Sequence, residues 1–524
     1  MATVSGCNLE SAAERNQKLS SVAGERRRAY TVLGMNTLAF TAAFAAWMMY
    51  GVLITFLVDK GEYEWDKAQM GWLIGIPVLT GSIMRLPAGI LTDKYGGRSV
   101  YSLLLLISAV PMFLVSYADS FTGFFIAGLG FGLAGSTFAV GIAFTSVWFE
   151  KKHQGIALGI FGAGNAGAAI TSMLAPVVLR SLTNGGVDID GWRILPQFYA
   201  AVLAITGILF YLFTHSRKVE SHEGYSLRQR LAPLRYIQVW RFGLYYFLVF
   251  GGFVALAQWL IPYYVNVYTM TVASAGLMAA IFALPSGVIR ALGGWMSDRI
   301  GARAVMYGVL ITSLVCLAFL SVPRMEVQSP GEGILADRPG TVTSVSDTEI
   351  VVDDRTYVMN ERTELEDFDP DGDLLLFPTR DFWHEPAVEI GDEVKRRQLL
   401  ASGVSQIFFQ ANVWVFTGLV FVVGIALGIG MAAVYKHIPD YFPEDVAVVG
   451  GIVGVLGGLG GFVLPIIFGY MLKGSGIWTT TWMLLCVITL ISLAWMQWVI
   501  QRMAQKRDPG LYPKSWQTES ELAE

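Results

Sequence analysis

The stretch Arg85-Leu-Pro-Ala-Gly-Ile-Leu-Thr-Asp-Lys-Tyr-Gly-Gly-Arg98 returns later in the chain as Arg290-Ala-Leu-Gly-Gly-Trp-Met-Ser-Asp-Arg-Ile-Gly-Ala-Arg303. The two copies share an arginine, a glycine, an aspartate, a glycine and an arginine at a constant offset of 205 residues. Two glycine-rich stretches, beginning at Gly155 and Gly450, are related by an offset of 295. The offsets differ by 90 residues, close to the length of an acidic segment at 325–400. The chain is therefore interpreted as a duplicated unit with one module inserted into the second copy.

Apolar runs long enough to cross a membrane occupy most of the chain. Of its 524 residues, 54% are hydrophobic and 15% are charged, whereas a soluble protein carries about a quarter charged residues. A helix of about 20 apolar residues crosses a hydrocarbon core of roughly 30 Å. The runs lack the polar faces that a large soluble helical protein needs. We therefore predict an all-α membrane protein whose twelve transmembrane helices form two six-helix pseudo-repeats. The twelve predicted spans are 30–58, 69–92, 99–117, 121–148, 154–180, 194–214, 240–267, 273–297, 304–322, 407–435, 446–472 and 477–500.

Cationic residues lie on one side of this predicted topology. They fall in alternate loops and in the tails, at Arg26–Arg28, Lys94, Arg98, Lys151, Lys152, 217–241, Arg299, Arg303, Lys436 and 502–507. The opposite loops hold few cations, so the positive-inside rule predicts that both termini are cytoplasmic, in a multi-pass protein of the cell inner membrane. The first 29 residues are polar and lack the apolar core of a signal peptide.

The segment 325–400 does not fit a pure membrane protein. It carries 19 acidic and 7 basic side chains, a net charge of −12 against −4 for the whole chain. Alternating residues at Gly340–Val345, Glu349–Asp353 and Thr356–Met359 predict strands, and Pro386–Val394 predicts a strand, a tight turn and a return. The segment resembles the barrel-sandwich hybrid modules related to lipoyl domains. We expect a small β-rich extramembrane insert on the periplasmic side, between the ninth and tenth spans; a disordered acidic loop is the alternative.

These patterns predict six parts of the chain. They are a cytoplasmic N-terminal tail (1–29), an N-terminal six-helix bundle (30–216), a cytoplasmic central loop (217–239), a C-terminal six-helix bundle (240–324 and 401–501), the insert (325–400) and a cytoplasmic C-terminal tail (502–524). The cysteines Cys7, Cys316 and Cys486 show neither metal nor disulfide spacing. We find no catalytic constellation, since His384 in the insert stands alone. We therefore expect no enzyme, no metal, no cofactor and no nucleic-acid partner.

The repeated pattern Gly-x-x-x-Asp-x-x-Gly-x-Arg resembles the loop motif of the major facilitator superfamily. Its charged residues are predicted to gate the cytoplasmic side, because each aspartate can lie at the positive end of a helix or pair with an arginine of the motif. These gating residues are Asp93, Arg98, Asp298 and Arg303. The resemblance implies a major facilitator fold of twelve helices, with the substrate near the membrane midplane between the halves.

Two arginines inside the predicted spans indicate a substrate site. Arg85 and Arg290 each precede the motif aspartate by eight residues, about 12 Å along a helix. A charge at that depth is costly and faces a water-filled path or a partner. Since we find no Asp, Glu, Lys or His deep inside the spans, the cargo is the most economical partner. Two guanidiniums suit a planar oxyanion. The alternative is that each arginine bonds backbone carbonyls of a neighbouring helix.

Glycine is concentrated in the fifth and eleventh spans. They contain Gly155-x-x-x-Gly159-x-x-Gly162-x-Gly164-Asn165-x-Gly167 and Gly450-Gly451-x-x-Gly454-x-x-Gly457-Gly458-x-Gly460-Gly461. Glycine costs about 1 kcal/mol in a helix interior relative to alanine, so this density indicates close helix approach or backbone exposed to a ligand. The two helices resemble the paired signature sequences of the nitrate/nitrite porter family. The similarity covers essentially all of the chain except the tail and the insert.

The resemblance implies a site for nitrate or nitrite. Its substrate-binding residues in this chain are Arg85, Arg290, Asn165, Phe138, Tyr246, Phe250, Gly164, Gly458 and Gly460. The three aromatic rings would sandwich a flat, poorly hydrated anion, and ordinary helix packing is the alternative for each of them. The tenth span departs from the family, because Gly428–Tyr435 offers small apolar residues where hydroxyl or amide side chains would help.

The expected function is secondary active transport of nitrate, nitrite or both by alternating access. Arg85 and Arg290 stay protonated, and we find no other titratable group in the spans, so an empty site is doubly positive and reorients unfavourably. This favours nitrate/nitrite exchange. Nitrate/proton symport is the alternative, since Glu150, Lys436 and His437 lie near the cytoplasmic ends.

Two further alternatives remain. An oxalate/formate-type organic anion exchanger would be expected to carry a lysine in the eleventh span, and 446–472 contains none. A transporter-like sensor would use the insert to dock a periplasmic partner. Besides the small inorganic anion and the lipid bilayer, we expect a monomer, in which residues 325–400 are a candidate surface for a periplasmic partner.

Overall fold

The computed structural model describes residues 12–149, 151–217, 231–322, 325–361, 379–409, 412–442 and 446–507. Cys7, Glu150, most of the expected central loop 217–239 and most of the expected tail 502–524 lie outside the described residues. The chain divides into two compact units. One unit is Met1–Leu317 with Phe421–Glu524, and the other is Ala318–Val420.

The larger unit is helical, and its first half supplies six spans. The helices of this half are α1 (Ala12–Asp59), α2 (Lys67–Ile83), α3 (Arg85–Tyr95), α4 (Gly97–Leu114), α5 (Phe121–Phe131), α6 (Thr137–Trp148), α7 (Lys151–Gly162), α8 (Gly167–Leu182) and α9 (Ile194–Phe213). The second span consists of α2 and α3, the fourth of α5 and α6, and the fifth of α7 and α8.

The second half repeats this arrangement. Its helices are α10 (Ile237–Tyr246), α11 (Gly252–Val267), α12 (Val272–Val288), α13 (Arg290–Ile300), α14 (Ala302–Leu320), α15 (Val413–Tyr441), α16 (Val446–Ser475) and α17 (Thr480–Arg507). Across the described residues, 11 helical stretches are long and apolar enough to cross a membrane, and α12 with α13, bent by 44°, forms a further span. The predicted fold, an all-α membrane protein of twelve spans with a small β insert, is confirmed.

The tenth span begins later than predicted. Residues 407–409, expected at its start, belong to a strand that ends at Phe409, and α15 begins at Val413. A short apolar run suits a strand or a helix equally, so the sequence pattern could not separate them. The helix also continues beyond 435 to Tyr441.

Five spans are each made of two α-helices joined by a break. The breaks lie at Met84, Gly132–Ser136, Ala163–Ala166, Phe247–Gly251 and Ile289. The first and last come directly before Arg85 and Arg290, while the break at Phe247–Gly251 is a π-helical turn. Such breaks free backbone groups from the helix ladder, and transporters place them around their binding sites.

The repeated motif has the same backbone conformation in both copies. Gly96 and Gly301 end α3 and α13 with φ angles of 82° and 86°, a region that strongly favours glycine. Their N–H groups donate to the carbonyls of Thr92 (2.9 Å) and Ser297 (3.1 Å). The second glycine of the motif is therefore required for the turn that leads into the next span.

Glycines allow the two halves to approach closely. A Cβ at Gly71 would overlap the carbonyl oxygen of Pro465, so the second span lies directly against the eleventh. In the same way, a Cβ at Gly276 would overlap the carbonyl oxygen of Ser172, which brings the eighth span against the fifth. Small residues at such crossings are typical of membrane helices.

The smaller unit is a β module. Its strands are β1 (Met325–Leu335), β2 (Gly340–Val345), β3 (Glu349–Val352), β4 (Arg355–Val358), β5 (Thr379–Pro386), β6 (Glu393–Val394) and β7 (Leu399–Phe409). One sheet has the order β1-β7-β5 and the other β4-β3-β2-β6. The antiparallel register of β1 and β7 pairs Met325 with Phe409 and Gly331 with Gly403. A core that includes Val342, Ile350 and Leu400 supports the four-stranded sheet.

The β prediction was incomplete. Strands form at three predicted places, β2, β3 and β4, but β1, β5 and β7 were not foreseen. Residues 387–392 form a loop instead of the predicted strand, and only Glu393–Val394 returns to the sheet. Gly391, with φ of 98°, makes the turn, and its N–H donates to the Val342 carbonyl at 2.8 Å.

Candidate functional site

Arg85 begins α3 and is 3% exposed. Its Nη1 donates to the carbonyl oxygen of Gly454 at 2.5 Å, across the two halves of the protein. A bond to a backbone carbonyl of a neighbouring helix is what the alternative to a substrate site predicts for this arginine. It does not use up the guanidinium, because Nε has no hydrogen-bond partner among the described residues.

Arg290 begins α13 at the equivalent position of the second half and is half-buried. A Cβ at Gly162 would lie 3.3 Å from its Cδ, so the fifth span leaves room for this side chain. Within the described part of the chain, buried Nη1 has no hydrogen-bond partner, and neither Arg290 nor Arg85 forms an ion pair with a carboxylate.

Aromatic rings bring the two guanidiniums together. The Arg85 carbon Cζ lies 5.0 Å from the ring centroids of both Phe138 and Phe250. The Arg290 Cζ lies 5.4 Å from the same Phe138 ring. Tyr246 stacks on Phe250 at 5.1 Å and 3° between ring planes. Because cations are attracted to ring faces at these distances, Phe138 is the shared wall of a two-arginine cluster.

The two phenylalanine rings face each other at closer range than a sandwiched anion allows. Phe138 and Phe250 are 6.1 Å apart between centroids, with 19° between planes. A flat ion between them needs about 3.5 Å to each ring, or about 7 Å in all. In this structure the rings therefore pack on one another, and an ion between them requires their separation by about 1 Å.

The glycine-rich spans contribute in different ways. Asn165 is 0% exposed, and neither its Oδ1 nor its Nδ2 has a hydrogen-bond partner among the described residues. A Cβ at Gly458 would overlap Ser82 Oγ and lie 3.2 Å from Arg85 Nη1, so this glycine makes room for the arginine. Gly164 packs on Phe40, and Gly460 packs on the Phe247 carbonyl. The last two glycines thus serve helix packing in this structure.

Tyr435 was not among the expected site residues. Its ring centroid is 5.8 Å from the Arg290 Cζ and 5.0 Å from the Tyr246 ring. Its hydroxyl donates to the Gly450 carbonyl at 3.2 Å. The tenth span therefore does offer a hydroxyl, contrary to the sequence interpretation. A single tyrosine in a run of small apolar residues was the available signal, because a buried hydroxyl needs a partner.

Comparisons with known proteins show the family of this chain. The family model of the Major Facilitator Superfamily matches residues 37–330 and 398–520. A probable nitrate/nitrite antiporter, NarK1, of Thermus thermophilus is 37% identical over 486 residues, which cover 92% of this chain and 94% of the relative. The chain belongs to the nitrate/nitrite porter family of the major facilitator superfamily.

More distant relatives extend the comparison. A nitrite extrusion protein of Bacillus subtilis (strain 168) is 25% identical over 479 residues, covering 90% of the porter and 95% of the relative. A solved structure of a bacterial homologue of the human lysosomal transporter Spinster, inward-facing and unoccupied, aligns with a TM-score of 0.57. It is 14% identical and covers 90% of the porter and 96% of that chain, so it shows the fold alone. The porter is thus a multi-pass membrane protein of a transporter family.

His437 and Arg241 are buried ionisable side chains near the ends of two spans of the porter. His437 is 2% exposed in the tenth span and stacks on Phe242 at 5.8 Å and 16°. Arg241 is buried in the seventh span, against the rings of Phe242 and Tyr441. The sequence analysis placed His437 beyond the tenth span because that span was predicted to end at 435, and it counted Arg241 with the cations of the central loop although the residue lies inside the seventh span.

The described contacts of the motif residues involve groups outside the motif. The Asp298 carboxylate pairs with Lys436 at 2.6 Å rather than with an arginine of its own motif. Arg98 Nε donates to the Tyr211 carbonyl at 2.8 Å. Arg303 is buried, and the side chain of Asp93 lies outside what the structure describes. Both the Asp298–Lys436 and the Arg98–Tyr211 contacts stay within one half of the porter.

At the opposite end of the spans, polar contacts join the two halves. Lys473 Nζ, at the end of the eleventh span, pairs with the Asp66 carboxylate at 2.8 Å. Lys67 Nζ donates to Asn266 Oδ1 at 3.1 Å. The hydrogen bond from Lys473, together with the Gln69 N–H, lowers the pKa of the Asp66 carboxyl. Asp66 is therefore ionised at neutral pH, and the cross-half ion pair is kept.

Proposed function

We propose that this porter carries nitrate and nitrite across the cell inner membrane by alternating access and exchanges one for the other. The observation that carries the proposal is the convergence of two repeat-related guanidiniums, Arg85 and Arg290, on the same Phe138 ring at 5.0 and 5.4 Å. Neither arginine has a carboxylate partner among the described residues. A small anion supplies the missing negative charge.

The hydrogen-bonding groups of the cluster support an oxyanion. Arg85 Nε and Arg290 Nη1 are buried and have no partners in the described residues. Leaving such a group unsatisfied costs about 1–3 kcal/mol, so a ligand that accepts hydrogen bonds is favoured at this place. The guanidinium fork matches pairs of coplanar oxygens. Nitrate and nitrite offer such pairs with a single negative charge.

The aromatic rings support a flat anion. Phe138 and Phe250 lie nearly parallel, with 19° between their planes. Opening the pair by about 1 Å would admit a planar ion between the rings, whereas a tetrahedral ion would need a larger separation. The rings thereby favour nitrate and nitrite over sulfate or phosphate.

The contacts between the halves indicate the side of the membrane on which this conformation is closed. The ion pair Asp66–Lys473 and the bond Lys67–Asn266 join the halves at one end. The pair Asp298–Lys436, at the other end, lies within one half. With both termini in the cytoplasm, as the positive-inside rule indicates, the joined end is periplasmic. The conformation is then closed to the periplasm, and the anion exchanges with the cytoplasm.

Nitrate/proton symport is the second candidate, and His437 is the observation that favours it. The imidazole is buried in the tenth span, two residues beyond Tyr435, which contacts Arg290. Histidine changes its charge between about pH 5 and pH 8, so it could bind and release a proton during the cycle. Exchange remains the first proposal because guanidinium groups in general stay protonated at physiological pH.

Uptake into proteoliposomes tests the cargo. We expect nitrate uptake to be faster with nitrite inside the vesicles than with buffer inside, at equal pH on both sides. Formate and oxalate in excess should leave nitrate uptake unchanged. Uptake of oxalate or formate at a rate similar to that of nitrate, or no nitrate uptake by properly folded protein, would overturn the proposal.

The remaining organisation follows from the same topology. We propose that the β insert, 325–400, lies in the periplasm, since it joins the ninth and tenth spans on the side opposite the motif loops. We further propose that the porter works as a monomer, because all the proposed anion-binding residues belong to one chain. The acidic insert offers a surface for a periplasmic partner.

A further inference from the structure

Tyr435 occupies a position between the two arginines. Its ring lies 5.8 Å from the Arg290 Cζ. A Cβ built on Gly454 would be 3.0 Å from the Tyr435 hydroxyl and 3.9 Å from Arg85 Nη1. The hydroxyl therefore approaches the Arg85 side of the cluster while the ring faces Arg290. Tyr435 is partly buried, whereas Tyr246 beside it is fully buried.

Two backbone carbonyls of the glycine-rich eleventh span accept hydrogen bonds from side chains of the cluster. Arg85 Nη1 donates to the Gly454 carbonyl at 2.5 Å, and the Tyr435 hydroxyl donates to the Gly450 carbonyl at 3.2 Å. Carbonyls four residues apart lie on the same face of a helix. Both donors are thus satisfied by the same helix face. Each can turn to an anion by giving up one neutral carbonyl acceptor.

We propose that the Tyr435 hydroxyl is the third hydrogen-bond donor of the anion site and that it selects nitrate over nitrite. The inference rests on the proposed function, since it assigns a role toward that cargo. On binding, the hydroxyl leaves the Gly450 carbonyl and donates to the oxygen of nitrate that the guanidiniums leave free. Tyr435 is then a specificity-determining residue of the tenth span, where the sequence offered only small apolar side chains around it.

The difference between the two anions lies in one oxygen. Nitrate has three oxygens and nitrite has two, with a lone pair on nitrogen in the remaining direction. Two arginine forks can satisfy two oxygens from both sides. If the third oxygen of nitrate is buried without a hydrogen-bond donor, the unsatisfied acceptor reduces the binding free energy. A hydroxyl beside the third oxygen donates this missing hydrogen bond to nitrate. It stabilises bound nitrite much less, because nitrite has no oxygen at that position.

The neighbouring tyrosine is less suited to this role. Tyr246 is fully buried and lies flat on Phe250, at 3° between ring planes. A Cβ at Gly457 would overlap its ring, so the eleventh span holds Tyr246 tightly. Tyr435 meets that ring edge-on, at 87°, and is only partly buried.

The test is the affinity of purified Tyr435→Phe for nitrate and nitrite, measured by ligand-induced thermal shift and by equilibrium binding. Loss of a hydrogen bond to an ion should weaken nitrate binding by about tenfold. Nitrite binding should fall by less than about threefold, so the nitrite-to-nitrate ratio of dissociation constants drops. A purely structural role of Tyr435 would weaken both anions equally and leave that ratio unchanged.

The matched control is Tyr199→Phe, which removes a buried tyrosine hydroxyl that bonds Thr171 at 2.9 Å, outside the cluster. It should leave the ratio at the wild-type value. If Tyr435→Phe does not fold, 3-fluorotyrosine at position 435 keeps the ring and makes the hydroxyl a stronger donor, so it should raise nitrate affinity selectively. Equal effects on both anions in whichever variant folds overturn the inference. Wild-type protein that binds no nitrate overturns the proposed function instead.

Discussion

Arg85 and Arg290 occupy equivalent positions of the repeat but are held differently. Arg85 is buried and bonds the Gly454 carbonyl, while Arg290 is half-buried and donates no hydrogen bond to the described residues. The sequence repeat predicts equal residues and cannot predict unequal contacts, because these depend on how the two halves are tilted. The asymmetry indicates that Arg85 contributes to holding the halves together in this conformation as well as to the proposed site.

The first prediction concerns these arginines. Replacing either Arg85 or Arg290 by lysine should reduce nitrate affinity by about tenfold or more, because an ammonium retains the charge but loses the planar fork. Equilibrium binding to purified protein is the measurement. Arg180→Lys, at an exposed arginine in the fifth span, is the matched control and should bind nitrate normally. Near-normal affinity in both site variants would contradict the proposal.

Other residue-scale features could not be predicted from the sequence. His437 and Tyr435 carry no periodic pattern that distinguishes a site residue from a packing residue, and their helix was placed about six residues too early at its start. The arginines were predictable because a charge within a long apolar run is costly and so demands a partner. A site residue can therefore be predicted from a membrane sequence when burying its side chain in the bilayer costs much free energy.

At the scale of single helices, the eleventh span provides a second prediction. A Cβ at Gly458 would overlap Ser82 Oγ and press on Arg85 Nη1 at 3.2 Å, whereas a Cβ at Gly451 meets nothing within 4 Å. Gly458→Ala should therefore displace the guanidinium and lower nitrate affinity by at least several-fold. Gly451→Ala should leave affinity unchanged and raise the melting temperature slightly, since alanine favours helix by about 1 kcal/mol. Equal binding by the two variants would remove Gly458 from the site.

The breaks within spans were only partly predictable. Pro87 lacks the N–H that would bond the Ile83 carbonyl, which accounts for the break at Met84. The sequence 132–136 is rich in small residues but carries no proline, and the π-helical turn at Phe247–Gly251 has no local signal of its own. Apolar length predicts that a span exists. Where it bends depends on side chains of the neighbouring spans.

The β insert supplies the third prediction. Replacing residues 332–402 by a two-residue Asn-Gly turn keeps the paired segments Met325–Gly331 and Gly403–Phe409 as a hairpin. All the proposed anion-binding residues lie in the larger unit, so nitrate affinity should equal that of the full-length protein. Equilibrium binding after purification is the measurement. A shortened protein that inserts and folds yet binds no anion would show that the insert takes part in the site.

At the scale of the whole molecule, contacts between the two halves lie at one end of the spans. The contacts Asp66–Lys473 and Lys67–Asn266 must break for the proposed periplasmic opening. The Asp66–Lys473 pair is solvent-exposed, and such an ion pair contributes about 0–1 kcal/mol. They can bias the conformational equilibrium but cannot block it. Closing the opposite end requires new contacts between the motif loops of the two halves.

The last prediction concerns energy coupling. When the site is empty, Arg85 and Arg290 carry two positive charges toward the low-dielectric core, so reorientation of the empty porter is unfavourable. A bound anion lowers that barrier, and net uniport is suppressed. We therefore expect nitrate to enter proteoliposomes only when nitrite or nitrate is present inside. An imposed inward proton gradient without internal anion should produce no accumulation.

His437 decides how the opposite result would be read. If the proton gradient alone drives nitrate accumulation, exchange is not the sole mode, and His437→Gln should abolish that accumulation while it preserves counterflow, since glutamine retains hydrogen-bonding groups but cannot take up a proton. Under exchange, the same variant should leave anion-dependent uptake unchanged between pH 6 and pH 8. The two outcomes differ in one measurable quantity, the nitrate accumulated at zero internal anion, because only a titratable group can couple that accumulation to the proton gradient.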